Sequence, residues 1–487
     1  FKGHKNKHNV FLISKQRLGF KDNIDNNEIL TYNTDDIKTI KNNIKKYFGT
    51  KQPRIIFFDE AHFGMSTSIA QNIFKELDKE DKSYKIYVTA TYSKPQQIYG
   101  VTDGNIIKWD LNDIKMIKNI KNKKALYSTI SNFQIKFGTK ILNRVLNKNG
   151  INDDTLNKAP FIFNNKINTI IDQYKHFPEP YLITSVWDKN FIKEELKLLT
   201  SSTPTFGFDM HKLFMPAKNN QFANKEQLIQ LLEYYFGYLT YKDDTPDYYN
   251  RKNEYKKRGI IPIIEEVCTN YCRTLQPQHK TTQLWFLPPY NISKIVRALL
   301  LLLKDKFNYI FESYMFYIAV DYKIAKTADN IQYMSEPKNI KSEIEELEKK
   351  LYTNDKYKKY NGLIILAGNR LQLGISLKNV DIVSLFTNIT ASDAIYQMLF
   401  RSMTEIDDDI ECDGINYCGR KRYGFMVDLN PQRTLYTIEY LTDMYLAYNK
   451  KSKDSKYELI ADLINIDKHK FIDKYNREDK KGYQKYV

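Results

Sequence analysis

The chain has little cysteine and no long apolar run, and each scarcity excludes a class of protein. Four cysteines in 487 residues, placed as Cys268/Cys272 and Cys412/Cys418, are too few for a disulfide-stapled secreted scaffold. The spacings within the two pairs also miss the tight knuckle of most zinc ribbons. Reduced cysteines are the plainer reading, and a zinc site built from both pairs is the other. No stretch approaches a membrane span; the longest apolar run, residues 298–303, suits the core of a helix, so no membrane partner is expected. No signal segment is visible, which sets the expectation of an intracellular, cytoplasmic protein. The chain opens on Phe1 rather than Met, and a missing natural N-terminus is expected.

A surplus of acid is lacking as well. Lys and Arg number 75 against 58 Asp and Glu, for a net charge of +17 and a pI near 9.2. That balance suits a polyanionic partner. Part of it has another origin, because the abundant Lys, Asn, Ile, Tyr and Phe are all spelled by AT-rich codons. The 42% hydrophobic and 27% charged residues are ordinary for a globular protein. The length is too great for one core and fits two or three domains.

Strand and helix signals alternate at both ends of the chain and lose their order between them. Early strands are expected at 10–13, 28–31, 55–58, 85–88 and 105–109, with helices over 35–48 and 68–78. From about 112 to 278, helical stretches (190–199, 225–238) and one strand candidate (181–186) sit among polar, Asn/Lys/Tyr-rich loops. A second alternating pattern follows. Strands are expected at 283–287, 316–320, 363–367, 380–385 and 423–427, and helices at 292–311, 341–351 and 392–403. Alternation of this kind implies mostly parallel sheets covered by helices. The expected layout is a first α/β domain over 1–111, an insertion or linker over 112–278, a second α/β domain over 279–435, and a helical extension over 436–487. No carboxylate-rich, lysine-containing core marks a nuclease in the middle region.

The run Ile55-Ile56-Phe57-Phe58-Asp59-Glu60-Ala61-His62 carries the most chemistry. Four apolar residues read as a buried strand, and open α/β sheets place their ligand chemistry at the carboxyl ends of strands. A carboxylate there can hold Mg²⁺ through its water shell, and a second can orient an attacking water. One helix and one strand later comes Thr89-Ala90-Thr91; in the second half come Leu371-Gln372-Leu373-Gly374-Ile375-Ser376-Leu377 and Gln397-Met398-Leu399-Phe400-Arg401. The triplet by itself is weak, and the last two have plain alternatives, an ordinary αβ loop and a surface arginine on a core helix.

In this order the segments resemble the motifs of superfamily 2 helicases and translocases, in the Asp-Glu-Ala-His form. Val10 to Arg17 falls where motif Ia falls, Asp59–His62 resembles motif II, Thr89–Thr91 motif III, Gln283–Leu287 motif IV, Leu371–Leu377 motif V and Gln397–Arg401 motif VI. The Leu-Gly-Ile-Ser-Leu form of motif V is nearer the chromatin-remodeller and restriction-translocase branch. Arg401-Ser402-Met403-Thr404-Glu405 is similar to the motif VI endings of helicases from large nucleo-cytoplasmic DNA viruses, which would put the protein in a viral factory or virion. The resemblance spans roughly 8–110 and 280–435 and implies two RecA-like domains with ATP bound between them.

The same resemblance implies the roles of single residues. Asp59 would hold Mg²⁺ through water, Glu60 would orient the attacking water, and His62 would link nucleotide to motif III or VI. Thr89, Thr91 and Gly374 would couple the ATP state to the nucleic acid. Gln397 and Arg401 would reach the γ-phosphate, while Ser14, Lys15 and Arg17 would bond the DNA or RNA backbone. Three departures are visible. Ser376 stands where many relatives carry Asp, and Thr404 where they carry a second Arg. No Gly-x-x-x-x-Gly-Lys-[Ser/Thr] phosphate loop occurs, and it is expected upstream of Phe1. The other reading is a catalytically weak or inactive scaffold within a transcription, replication, packaging or restriction complex.

Overall fold

The apolar run at 55–58 forms a strand, β1 (Ile55–Phe58), but not the buried one its composition predicts. The computed structural model describes residues 42, 55–58, 83–88, 101, 105, 177–184, 209–237, 259–271, 279–320, 329–368, 371, 375–389, 392–404, 411–412, 415–416, 421, 423–430, 433 and 465–467. The chain divides into two units, Phe1–Lys108 and Trp109–Val487. In the first, β1 pairs in parallel with β2 (Tyr84–Tyr87). The pleat sends Ile55 and Phe57 to one side, where they are 53% and 67% exposed. Phe58 points to the other side and is buried, stacked on Tyr87 with ring centroids 5.1 Å apart. Only one face of this pair is covered, and a run of apolar residues cannot show that. The expected elements at 10–13, 28–31, 35–48 and 68–78 lie outside the described residues, apart from 42.

In the second unit every predicted strand forms. They are β3 (Glu179–Thr184), β4 (Thr281–Phe286), β5 (Tyr314–Ala319), β7 (Gly362–Ala367), β8 (Val380–Leu385) and β11 (Tyr423–Asp428). Together with β6 (Ile331–Tyr333) and β12 (Asn465–Asp467) they make one parallel eight-stranded sheet, ordered β12-β3-β11-β8-β4-β7-β5-β6. A short antiparallel pair, β9 (Glu411–Cys412) and β10 (Ile415–Asn416), stands apart from it. The central strands β4, β5, β7 and β8 are buried along their whole length, as in a sheet covered on both faces.

The helices are α1 (Met210–Leu213), α2 (Lys225–Phe236), α3 (Ile260–Tyr271), α4 (Ile292–Lys306), α5 (Asn308–Ser313), α6 (Ile340–Thr353), α7 (Asp355–Lys358) and α8 (Ser392–Leu399). The single helix predicted over 292–311 is two, because Phe307 leaves the helical region at φ −127° to bury its ring. The helix predicted over 392–403 ends at Leu399, and Phe400–Met403 form a tighter 3-10 turn.

Two expectations about the layout need correction. The region read as an insertion supplies β3 to the sheet, paired with β11, and α1, α2 and α3 supply residues to its core. On α2, Leu228, Leu231, Leu232, Tyr235 and Phe236 are buried, a helical stripe that meets the sheet. Tyr235 is edge-to-face with Trp285 at 5.3 Å and with Phe386 at 5.3 Å, and its hydroxyl lies 2.5 Å from Ser384 Oγ. The helical extension expected over 436–487 is likewise not all helix. Its described residues, Asn465–Asp467, form the edge strand β12 beside β3.

Candidate functional site

The strand pair of the first unit fixes where two of the candidate segments leave the sheet. β1 and β2 run parallel in the register Phe58↔Tyr87, and Val88 N donates to Phe58 O at 2.8 Å. Asp59 is the next residue after β1, and Thr89 follows Val88. Both candidate segments therefore depart from the carboxyl ends of adjacent parallel strands, the edge that α/β sheets use for ligands. Asp59, Glu60, His62, Thr89 and Thr91 themselves lie outside the described residues, as do Ser14, Lys15 and Arg17.

The second sheet has a topological switch point. From β4 the chain crosses to β5, passing over β7; from β7 it crosses the other way to β8, passing over β4. Neighbouring strands whose connections run in opposite directions, over opposite faces of the sheet, open a crevice at their carboxyl ends. Here Leu287 N donates to Ala367 O at 2.8 Å, and Gly368 lies so close to α4 that a Cβ would stand 2.7 Å from Ile292 Cδ1. The segment that holds Gly374 leaves the sheet at this crevice; Gly374 is outside the described residues, while Leu371 is buried and Ile375 half-exposed or less.

Arg401 comes to the same segment. Its Nη1 donates to Ile375 O at 2.6 Å, and Gln397 is half-buried one turn before it on α8. Gly424 explains how the turn fits, because a Cβ there would meet Ser402 O and Met403 Sδ at 2.5 Å. The structure thus joins the candidate motif VI arginine to the strand of backbone just past the candidate motif V glycine. Thr404 ends the turn in extended conformation, half-buried.

Polar groups that sequence reading missed gather at this same carboxyl end. Asp428, the last residue of β11, takes Arg433 Nε at 2.8 Å and Nη2 at 2.7 Å, and the guanidinium also donates to Leu385 O and Thr387 O. Both side chains are 1% exposed. Beyond β8, Asn388 Oδ1 accepts from Met210 N at 2.7 Å, and Asn388 Nδ2 donates to Asp209 Oδ1 at 2.6 Å. Asp209 caps α1 through Lys212 N. A carboxylate at a strand end, followed by Asn430 and Arg433, was the signal available for the first pair. Asn388 gave none.

A second polar group sits at the opposite, amino end of the sheet. His279 Nε2 lies 3.2 Å from Asp381 Oδ2, which also accepts from Thr282 N at 2.9 Å. Glu348, on α6, accepts from Thr282 Oγ1 at 3.0 Å and Asn379 Nδ2 at 2.7 Å. Lys421 Nζ donates to Lys378 O and Val380 O. Burial pushes the Glu348 carboxyl up to about 7 and the Lys421 ammonium down to about 8. Burial alone would lower His279, but the Asp381 carboxylate outweighs it and the imidazole is raised. Among the described residues no group of three His, Cys, Asp or Glu is placed to hold a metal, and no helix is long and apolar enough to cross a membrane.

No protein-family model and no curated protein matches the sequence. Solved structures are similar to it in chain path, two of them as follows. One is the ATP-dependent type ISP restriction-modification enzyme LlaBIII bound to DNA, 11% identical with a TM-score of 0.37, over 84% of this chain and 21% of that one. The other is the Mycobacterium smegmatis helicase Lhr bound to ssDNA and AMP-PNP, 9% identical with a TM-score of 0.28, over 88% of this chain and 38% of that one. The chain spans well under half the length of either, and likenesses this distant assign no role to any residue here.

Proposed function

We propose that the protein is a nucleic-acid-dependent ATPase of the superfamily 2 kind, a helicase or translocase with two RecA-like domains that moves on DNA or RNA. The observation that carries this reading is the register of β1 and β2, which brings the exits toward Asp59-Glu60-Ala61-His62 and Thr89-Ala90-Thr91 side by side at one sheet edge. The link from Arg401 to Ile375 O supports it from the second unit. The donor set fits the expected cofactors, since paired carboxylates are the hard oxygen ligands that Mg²⁺ takes through water. ATP with Mg²⁺, when bound, supplies the phosphoanhydride and the neutralisation of its charge.

The residues then divide the work. Asp59 holds the metal's water shell, and Glu60 orients a water and takes its proton. His62, Thr89 and Thr91 tie the nucleotide state to the strand exit beside them. Gly374 lets backbone approach phosphate or ribose closely. Gln397 and Arg401 answer the γ-phosphate. Ser14, Lys15 and Arg17 bond the nucleic-acid backbone, so binding is salt-sensitive and indifferent to sequence.

The test compares ATP turnover of the full protein with single- and double-stranded DNA and RNA, alongside Glu60→Gln. We expect turnover to need nucleic acid and to fall at least about 100-fold in the variant while nucleotide binding persists. Normal turnover in Glu60→Gln would remove Glu60 from its role. One observation favours a second reading, that of a helicase-like scaffold in a larger complex: Arg401 is engaged by Ile375 O in its own unit, and Thr404 offers no second guanidinium. Nucleotide binding without turnover under all four nucleic acids would select it.

A further inference from the structure

The outward side of α4 carries three cations and one apolar residue. The helix buries Ile295, Val296, Ala298, Leu299, Leu302 and Leu303, which leaves Lys294, Arg297, Leu301 and Lys304 exposed. At 100° per residue these four fall within an arc of about 80° and extend over about 15 Å. No carboxylate among the described residues pairs with Lys294, Arg297 or Lys304. Asp305, the acid at the helix end, is occupied by Lys225 at 3.6 Å and Lys306 at 3.9 Å. The turn Lys218–Asn220 lies against α4 and adds the exposed Lys218.

Two residues before α4 stands Tyr290, 73% exposed. Its backbone is fixed on both sides. Pro288 and Pro289 precede it, and Asn291 follows in the left-handed region at φ 51°. The ring projects from the carboxyl end of β4, at the switch point of the sheet, and Leu301 adds 43% exposed apolar surface further along. A large aromatic held in water on a fixed backbone loses little freedom when a planar partner stacks on it.

We propose that Tyr290 and the outer face of α4 bind a single-stranded polynucleotide, with a base stacked on Tyr290 and phosphates met by Lys294, Arg297 and Lys304. The cations select a polyanion. The exposed ring selects an unpaired base, since the faces of a duplex are already stacked. The proposal rests on the functional reading above only in its choice of ligand class, and it uses none of the residues placed in ATP turnover.

The experiment uses the full protein with a short labelled oligonucleotide, single-stranded and as a duplex, followed by anisotropy, with 2-aminopurine in the strand as a stacking reporter. Tyr290→Ala is expected to weaken single-strand binding about 5-fold to 100-fold and to abolish the 2-aminopurine response, while Tyr290→Phe retains both. Replacing Lys294 and Arg297 by Ala should reduce the slope of log K against log salt by about 1.4. Thermal melting checks that these exposed substitutions leave the fold intact. Unchanged affinity in Tyr290→Ala, equal binding of duplex and strand, or equal competition by polyglutamate would each overturn the proposal. Loss of binding in Tyr290→Ala, in a protein without ATP turnover, upholds this site and removes the motor. Turnover with unaltered binding does the reverse.

Discussion

The two ends of the eight-stranded sheet hold buried charge in different ways. At the carboxyl end, one carboxylate meets one guanidinium in a bidentate pair, and the guanidinium also donates to the backbone carbonyls of Leu385 and Thr387. Charge is balanced, one carboxylate to one guanidinium. At the amino end, Glu348, Asp381, Lys421 and His279 share a buried volume in which Glu348 receives only the neutral donors Thr282 and Asn379. Its carboxyl rises and the Lys421 ammonium falls toward neutrality. A matched pair makes a rigid floor beneath the edge where ligand chemistry is expected. A loose group of acids and bases, far from that edge, makes stability depend on pH.

The most severe way to break the contrast is Asp428→Ala. It would leave the Arg433 guanidinium, 1% exposed, without a counter-charge, and breaking a buried pair in this manner costs about 3–5 kcal/mol. Urea unfolding of the second unit, followed by amide exchange on β8 and β11, measures it. The double variant Asp428→Leu/Arg433→Met should recover most of the loss, because it removes both charges together. A loss below about 1 kcal/mol in Asp428→Ala would mean that water reaches the guanidinium, and the floor would not be locked.

Titration sharpens the contrast from the other end. Glu348 is raised from 4.5 to about 7 in the folded protein, so its contribution is present below about 4.5 and lost as pH rises through about 7. His279 is raised as well, and its contribution has the same sign. Lys421 is lowered from 10.5 to about 8, so stability returns as pH climbs from about 8 toward 10.5. The second unit should therefore be least stable between about 7 and 8. The Glu348 part amounts to at most about 3 kcal/mol, from a shift worth 1.36 kcal/mol per pH unit. In Glu348→Gln the decline between pH 5 and 7 should flatten, and the variant should be the more stable protein at pH 8 but not at pH 5. Parallel stability curves for the two proteins would show that Glu348 does not titrate as argued.

These polar ends were the part of the fold least legible in the sequence. Apolar runs such as Leu363–Ala367 declare a strand by themselves, because a strand buried on both faces needs little else. The pattern of α2 was equally plain, with Leu228, Leu231, Leu232, Tyr235 and Phe236 on one stripe. What the stripe packs against was not, since periodicity names a face and never its partner; hence a region that looked like an insertion joins the sheet through β3. Asp381 sits second in an apolar strand and Lys421 in a run of basic residues. Only the tertiary structure brings them within reach of Glu348 and His279. Of the candidate site, the helix that leads through Gln397 toward Arg401 was legible, but the acceptor at Ile375 was not, because a backbone carbonyl has no signature in sequence.

The smallest test asks whether the lock at the carboxyl end extends past the ion pair. Asn388 ties the loop after β8 to the start of α1, accepting from Met210 N and donating to Asp209 Oδ1. Both bonds are part-buried, and Asp209 keeps its bond from Lys212 N when Asn388 is removed. Asn388→Ala should then cost about 1 kcal/mol, the ordinary worth of a partly exposed hydrogen-bonded side chain. The loss should be the same at pH 7.5 and pH 8.5, because Asn388 does not titrate and the nearby His211, lowered by burial, stays neutral above its ordinary range. A loss that varied with pH across that range would couple this loop to the titrating group at the far end of the sheet. The two ends would then be one electrostatic system, and the contrast drawn between them would fail.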